Sequence, residues 1–410
     1  MAKQSYQSEI KSIAEGQVLL YPEEQLASLK KKSQKLYIGI PKENGEDEKR
    51  IALKPEAVEI LVRHGHEIRI ESGAGLQAKF EDLEYANAGA IICYSPQEVF
   101  EADIILKITP PTLQEIDYMR FGRTVISALP KARLTQDYIK AILHKKLICI
   151  AYEYIEDSSG TMPLVRAMSE IAGSTVMLIA AELLSSLNDG QGIILGGITG
   201  VPPTKVVILG AGTVAEYAAR TAMGLGAEVK IFDKHLYKLR RIKYALGQQV
   251  YTSTLDYVAM SEAISRADVV IGAIRAEKGQ TPCVVTEEMV SRMKPNSVII
   301  DVSIDQGGCF ETSEVRTLQN PVFRKYGVVH YCVPNIASRV ARTSSTALSN
   351  IFAPYLIEIG ESGSIDNMIL SNPGFMKGVY CFKGSLTNED IAQSFGLPHK
   401  DLALLAAALR

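Results

Sequence analysis

Short apolar runs alternate with amphipathic stretches of helical period along most of the chain. A helix is predicted at residues 55–65, where Pro55 and Gly65 mark its two ends. Strands that alternate with helices of about 10–15 residues indicate βαβ units and a parallel sheet. In the first half of the chain, the runs that predict strands are residues 35–41, 66–73, 102–111, 124–130 and 146–153.

A longer apolar stretch, residues 163–187, predicts a helix that links two domains. The glycine-rich segment 188–204 then leads into a second strand and helix series, with strands at VVILG, VKIFD, DVVIGA, SVIID and VVHYCV. After Asn335, a helix over residues 344–360 is expected to return to the first domain. The predicted fold class is therefore α/β, with two Rossmann-like doubly wound domains flanking a cleft. The first domain is expected to be discontinuous, residues 1–163 plus 342–410 with a polar N-terminal extension, and residues 164–341 to form the second.

One strand of the second series carries acids. In SVIIDVSIDQGGCFE, residues 297–311, Asp301, Ser303 and Asp305 alternate with apolar residues. A continuous strand would place all three on one face, with Asp305 at its carboxyl end. Buried acids are costly unless they are paired, hydrogen-bonded or used. Because ligands bind at the carboxyl ends of strands in doubly wound sheets, Asp305 is a functional candidate. For Asp301 we predict a structural role, hydrogen-bonded to backbone.

Composition and charge narrow the class of protein. The chain has 410 residues, which suggests two domains, and its formal net charge of −2 offers no footprint for nucleic acid. No apolar run reaches the roughly 18 residues of a membrane helix, and the N-terminus lacks the apolar core of a secretory signal. Six scattered cysteines form no CxxC pair. We therefore expect a cytoplasmic protein with buried thiols, no metal site, and no membrane or nucleic-acid partner.

The most specific local motif is KVVILGAGTVAEYAARTAMGLGAEVKIFD, residues 205–233. A strand leads to Gly210, Gly212 and the small residue Ala215, and a helix follows. Glycines let the backbone approach a pyrophosphate, and the helix N-terminus offers free N–H groups. Asp233 ends the next strand, where an acid can hold the ribose hydroxyls and repel a 2′-phosphate. The motif predicts NAD rather than NADP as cofactor; the alternative is a tight turn that serves only helix–strand packing.

From about Tyr37 to the C-terminal region, the chain resembles the family of alanine dehydrogenase and the NAD-binding subunit of proton-translocating transhydrogenase. The motifs that carry the resemblance are IGIPKENGEDEKRIALKPEAV, AYEYI, MSEIAG, GGITGVPP, the GAG turn, IDQGGCFE and YCVPNIAS…TSSTALSN. The motifs IDQGGCFE and YCVPN are closer to alanine dehydrogenase than to the transhydrogenase branch.

The resemblance implies roles for individual residues. Arg50 is at the position that holds the substrate carboxylate, and Asp305 at that of an aspartate beside the nicotinamide that is implicated in catalysis. It also implies a homo-oligomer, a hexamer as in alanine dehydrogenases or a dimer as in transhydrogenase subunits. The implied cofactor-binding residues are Ser169, Gly210, Gly212, Thr213, Asp233, Lys238, Ser253, Ala273, Ile274, Asp305, Val333 and Asn335.

Two positions depart from the family's pattern. The substrate-binding lysine is replaced by Thr109 in LKITPP, and the catalytic histidine by Pro130 in SALPKA. Neither residue transfers protons near neutral pH. Lys107 is predicted on the same strand face as Thr109, about 6–7 Å away, and could partly replace the lysine as a substrate ligand. Lys131, next to Pro130, is a second candidate replacement, although it is expected to face elsewhere. His330, beside YCVPN, is predicted to be structural.

Three functions remain open at this point. The first is an NAD-dependent dehydrogenase that converts L-alanine, or a related small amino acid, into its 2-oxo acid. The second is a transhydrogenase-type NAD module, which needs neither the lysine nor the histidine. The third is an NAD-binding regulatory protein without dehydrogenase activity.

Overall fold

The structure, a computed structural model, describes residues 34–45, 47–129, 134–275 and 281–407. The N-terminal extension, Pro130 and Lys131 lie outside these ranges. The described strands form two sheets, of eight and seven strands.

The first sheet has the strand order β15-β14-β6-β5-β4-β1-β2-β3. Its first six strands in the chain pair in parallel, and β14 and β15, which come from the C-terminal region, pair antiparallel at one edge. The strands are β1 (Tyr37–Ile40), β2 (Glu67–Glu71), β3 (Ile91–Cys93), β4 (Ile104–Leu106), β5 (Thr124–Ser127), β6 (Ile148–Ala151), β14 (Val379–Phe382) and β15 (Ser385–Leu386).

The second sheet has the order β12-β13-β11-β10-β7-β8-β9, parallel except for the edge strand β12. Helices cover both sheets, so the predicted α/β fold class, with two doubly wound domains and a discontinuous first domain, is confirmed. The strands are β7 (Lys205–Leu209), β8 (Glu228–Phe232), β9 (Tyr251–Ser253), β10 (Val269–Gly272), β11 (Val298–Asp301), β12 (Val322–Lys325) and β13 (Val328–Tyr331). The domain boundaries at residues 163/164 and 341/342 stay a prediction.

The α-helices between and after these strands are α1 (Pro55–Arg63), α2 (Asp82–Asn87), α3 (Pro96–Phe100), α4 (Leu113–Tyr118), α5 (Gln136–His144), α6 (Pro163–Leu184), α7 (Thr213–Gly224), α8 (Leu236–Leu246), α9 (Tyr257–Ser265), α10 (Glu287–Ser291), α11 (Ala341–Ser362), α12 (Ile365–Ser371), α13 (Pro373–Met376), α14 (Glu389–Phe395) and α15 (Leu402–Ala407).

The central strands of both sheets are buried on both faces. In β4, Ile104 and Leu106 pack into one apolar cluster and Ile105 into another. In β7, Val206 and Val207 likewise belong to opposite clusters. Near-continuous apolar runs are typical of parallel strands covered by helices on both sides. Because apolar side chains fill both faces of each sheet, polar ligands can bind only at the ends of the strands.

Among the described residues, α6 is the one helix long and apolar enough to cross a membrane by length and composition. It packs against α7, and Gly173 makes their close approach possible, because a Cβ there would lie 2.4 Å from the Val214 carbonyl oxygen. Half of its most apolar window is buried inside the protein. Its position is therefore that of a core helix between the two sheets.

Candidate functional site

The carboxyl ends of the two sheets meet across a cleft. The loop after β1 contacts the segment after β13: the Lys49 N–H donates to Ser338 Oγ over 2.8 Å, and Asn335 Nδ2 donates to Glu48 Oε2 over 2.8 Å. The Leu318 N–H donates to Asp47 Oδ1 over 2.9 Å. These bonds hold the two domains together at the edge where doubly wound sheets bind ligands.

Arg50, the predicted substrate ligand, is buried in this cleft and bound on one edge by Glu48. Its Nε and Nη2 donate to the two oxygens of Glu48 over 2.8 and 2.7 Å. Burial alone would lower the pKa of Arg50, but the Glu48 carboxylate more than offsets this and raises it. Nη1 lies 3.3 Å from the Met168 sulfur, a weak acceptor. The Nη1/Nη2 edge of the guanidinium is therefore left for a carboxylate ligand.

Lys107 lies under the cleft and not in it. Its side chain is fully buried, and Nζ donates to Glu115 Oε1 over 2.8 Å. Glu115 also accepts hydrogen bonds from Asn44 Nδ2 and from the Thr112 N–H, 2.8 and 2.7 Å long. Through Glu115, the Lys107 ammonium thus connects the end of β4 to α4 and to the loop after β1. The predicted role of Lys107 as a substrate ligand stays untested.

Glu43 occupies the place beside Thr109. Its Oε1 accepts the Ile108 N–H over 2.6 Å, and its Oε2 accepts the Thr109 N–H over 3.1 Å and the Thr109 hydroxyl. Both residues are half-buried. Tyr152, from the end of β6, donates its hydroxyl to the Ile108 carbonyl over 3.1 Å and so fixes the same backbone from the other side. Sequence reasoning missed Glu43, Glu48 and Glu115, although acids in the loop after β1 and the TLQE capping-box pattern were visible signals.

The GAG turn fits a pyrophosphate. Gly210 has φ +110°, and a Cβ there would lie 2.3 Å from the Ala273 carbonyl oxygen. At Gly212 a Cβ would meet nothing within 4 Å, so open space lies beside this residue. Gly212 is the N-cap of α7, which begins at Thr213, and no side chain caps the helix. Its free N–H groups and positive dipole end therefore face an open cradle suited to phosphate.

Asp233 fixes the turn to the end of β8. Its Oδ2 accepts the Ala211 N–H over 2.7 Å and its Oδ1 the His235 N–H over 2.7 Å. The residue is 8% exposed. A carboxylate oxygen can accept more than one hydrogen bond, so capacity remains for ribose hydroxyls.

The other predicted cofactor residues lie along the same edge of the second sheet or close to it. Ser253 ends β9, Ala273 and Ile274 follow β10, and Val333 follows β13. Asn335 has a left-handed backbone, with φ +59°, before the 3₁₀ turn Ile336–Val340. Lys238 lies on α8 and Ser169 on α6. Their roles as cofactor ligands stay predictions.

The predicted continuous acid-bearing strand is wrong. Strand β11 ends at Asp301, and Val302–Gln306 form a 3₁₀ helix. Asp301 Oδ1 accepts the Ser303 N–H over 3.0 Å, which turns the chain out of the sheet. Its Oδ2 accepts the Cys309 N–H and the Ser313 hydroxyl over 2.9 and 2.7 Å, so its predicted structural role is confirmed. Asp305 lies in the 3₁₀ helix and is exposed at the carboxyl end of β11.

Two smaller predictions are settled by burial. His330 is fully buried between Thr312, whose Oγ1 lies 2.9 Å from Nε2, and the Val328 carbonyl. Burial lowers its pKa to about 4, and its predicted structural role is confirmed. Five of the six cysteines are buried, but Cys283 is exposed, so the expectation that all six are buried is wrong. Cys283 is exposed and lies in the irregular segment before α10, outside any strand or helix.

Comparisons with known proteins cover both domains. Residues 39–172 match the family model described as "Alanine dehydrogenase/PNT, N-terminal domain", and residues 176–389 match that of the C-terminal domain. Alanine dehydrogenase of Methanococcus maripaludis is 39% identical over 369 residues, 89% of this chain and 98% of the relative. Alanine dehydrogenase 2 of Staphylococcus aureus is 38% identical over 369 residues, with the same coverage of the two chains.

Solved structures give the same result. An L-alanine dehydrogenase superposes with a TM-score of 0.83 and 34% identity over 88% of this chain and 99% of the other. A transhydrogenase from Sinorhizobium meliloti follows with a TM-score of 0.74 and 25% identity over 86% and 99%. These similarities span both sheets and the cleft between them, and the chain therefore belongs to the alanine dehydrogenase/PNT family.

Proposed function

We propose that the protein catalyses the NAD-dependent oxidative deamination of L-alanine to pyruvate and ammonia. The enzyme class, an NAD-dependent oxidoreductase that acts on a CH–NH₂ group, follows from the family and agrees with the sequence prediction. The observation that carries the choice of substrate is the position of Arg50, whose free guanidinium edge lies where the two domains meet, with Glu48 joining it to Asn335.

In this proposal Arg50 binds the substrate carboxylate through its Nη1/Nη2 edge, opposite the edge held by Glu48. The GAG turn and Asp233 orient the dinucleotide, whose nicotinamide, when bound, accepts the hydride from the substrate α-carbon. Asp305 accepts the proton that the attacking water releases. The sources of catalytic rate here are positioning and proton transfer by this chain's own residues.

The test is an NADH-oxidation screen of 2-oxo acids, each with and without ammonium. We expect ammonium-dependent oxidation with pyruvate, and weaker or no oxidation with bulky 2-oxo acids. Turnover on another 2-oxo acid alone would contradict the substrate, and oxidation that needs no ammonium would contradict the reaction class.

The second candidate is an NAD-binding regulatory or transhydrogenase-like module. The observation that favours it is Thr109, a hydroxyl residue at the position where the family resemblance implies a substrate lysine. The similarity to a transhydrogenase is in line with this candidate. Saturable NADH binding without turnover on any 2-oxo acid would support it over the first.

Replacement of Asp233 by Ala is expected to relax the preference for NADH over NADPH by roughly 10- to 100-fold, the range for a charge-assisted hydrogen bond. The carboxylate repels a 2′-phosphate, and the variant removes this repulsion together with the ribose contact. Calorimetry with both nucleotides measures the ratio. Asp256→Ala is the control, since Asp256 caps α9 beyond β9 and its loss should leave the ratio unchanged. Equal or tighter NADPH binding by the unaltered protein would contradict the role of Asp233.

We also propose a homo-oligomer in the cytoplasm. Apolar side chains around the glycine-rich segment after α6 are exposed, among them Leu187 at 94%, Ile194 at 64% and Ile198 at 57%. Several large exposed apolar side chains within one short segment favour an interaction surface. Light scattering at micromolar concentration should give a dimer or hexamer, and Ile198→Asp should shift it towards monomer. A monomer of the unaltered protein would contradict this prediction.

A further inference from the structure

The charges around the substrate side of the cleft do not pair evenly. The carboxylates of Glu43, Glu48 and Glu115 lie there, together with the cations of Arg50 and Lys107. Glu48 binds Arg50 at 2.7 Å and Glu115 binds Lys107 at 2.8 Å. Within the described part of the chain, no cation lies at ion-pair distance from Glu43, which is the carboxylate left over.

The residues around Glu43 hold its side chain in place by hydrogen bonds but do not pair its charge with a cation. Its three hydrogen-bond donors are the Ile108 N–H, the Thr109 N–H and the Thr109 hydroxyl, all uncharged. Burial raises the pKa of Glu43, and the more distant Lys107 ammonium opposes this in part. An oriented, half-buried carboxylate of this kind gains most from a ligand that brings its own positive charge.

We propose that Glu43 is a specificity-determining residue that accepts the protonated amino group of the substrate. This inference rests on the proposed function and deepens it. Arg50 offers a free edge to a carboxylate and Glu43 offers a carboxylate to an ammonium, so the two together match the opposite charges of an amino acid. With Glu48 already on Arg50, a ligand that brought only a carboxylate would raise the negative charge of the cleft further.

Two ligands that differ in one group test this directly. L-Alanine and L-lactate share their carboxylate and methyl group, and neither reacts with bound NADH, so calorimetry on the NADH complex measures binding alone. We expect L-alanine to bind more tightly than L-lactate. Glu43→Gln should weaken L-alanine by roughly 10- to 100-fold, the range for loss of a charge-assisted hydrogen bond, and leave L-lactate within about twofold.

A second variant keeps Glu43 and neutralises it. Thr109→Lys places an ammonium against the carboxylate and would also contact the substrate carboxylate that both ligands share, so the affinity for L-alanine relative to L-lactate should fall as it does in Glu43→Gln. Thr109→Val is the matched control, because it removes the hydroxyl but adds no charge, and L-alanine should then keep most of its affinity. Unchanged NADH affinity in each variant verifies the fold of the cleft.

A third ligand, L-2,3-diaminopropionate, shows which amino group Glu43 binds, because it carries both an α-ammonium and a side-chain ammonium. If Glu43 holds the α-ammonium, Glu43→Gln weakens both amino acids alike; if it holds the side-chain ammonium, only the diamino acid is weakened. The first result supports the proposal, whereas the second, in which L-alanine is unaffected, would overturn it for the α-ammonium. Equal weakening of L-alanine and L-lactate, or no change for either amino acid, would overturn it and leave Glu43 a support of the β4 end. Absence of turnover would contradict the proposed reaction, whereas these binding measurements test Glu43 separately.

Discussion

Asp305→Asn is expected to lower turnover by about 10²–10⁴-fold, the usual contribution of a positioned acid–base group, and to leave NADH affinity largely intact. The residue lies in the 3₁₀ helix after β11, exposed at the edge of the dinucleotide sheet. Asparagine has nearly the same shape but cannot accept a proton. Steady-state kcat/KM for L-alanine and calorimetry with NADH measure the two quantities.

Asp301→Asn is the matched control, since the two acids belong to the same segment but differ in their contacts. Asp301 is fully buried and accepts two backbone N–H groups, so its replacement should lower the free energy of unfolding, with kcat per folded molecule little changed. If Asp305→Asn kept full L-alanine oxidation, Asp305 would be structural.

The pH dependence of turnover follows from the same environment. The Asp305 side chain is open to solvent, but the protein packed around its carboxyl partly desolvates it and so raises its pKa. The nearby Arg275 guanidinium opposes part of the rise, while Asp301 adds to it. A general base acts when it is deprotonated, so turnover in the deamination direction should fall as pH drops through this raised pKa. The acid limb of the pH–rate profile is therefore expected above the ordinary aspartate value of about 3.9, and it should vanish in Asp305→Asn.

The central strands could be predicted from sequence because their signal is local. Strands β4, β7 and β10 are continuous apolar runs with turns at their ends. The edge strands β3 and β9 have three residues each and β15 has two, too short for any period to register. The predicted strand through Asp305 fails because one side-chain bond, from the Ser303 N–H to Asp301, overrides the apolar alternation of Ile300, Val302 and Ile304.

The functional site likewise has one part that the sequence predicts and one part that it does not. The GAG turn and Asp233 were predictable, since the nucleotide cradle is made of residues close in sequence. The polar contacts of the substrate side were not, because the partners come from different elements: Glu115 pairs with Lys107 from α4, and Glu43 accepts the Thr109 hydroxyl across 66 positions. Sequence shows a threonine at position 109, whereas only the fold shows which carboxylate of the described residues has no cation at ion-pair distance.

Lys107→Ala is expected to lower the free energy of unfolding by about 3–5 kcal/mol, the cost of breaking a buried ion pair on one side. Both side chains are almost fully enclosed, at 0% and 8% exposed. The variant would leave the Glu115 carboxylate buried beside Asn44 and the Thr112 N–H, without a cation. Urea denaturation followed by circular dichroism measures the change, through a lower midpoint at constant slope.

The double variant Lys107→Met, Glu115→Gln separates the ion pair from packing. It removes both charges with little change of volume, so it should recover much of the stability lost in Lys107→Ala. The kinetics of Lys107→Ala then decide its other predicted role. An unchanged KM for L-alanine in the folded variant would exclude Lys107 as a substrate ligand. Unchanged stability together with a raised KM would mean that the ammonium leaves Glu115 and reaches the substrate, and that Lys107 has no structural role.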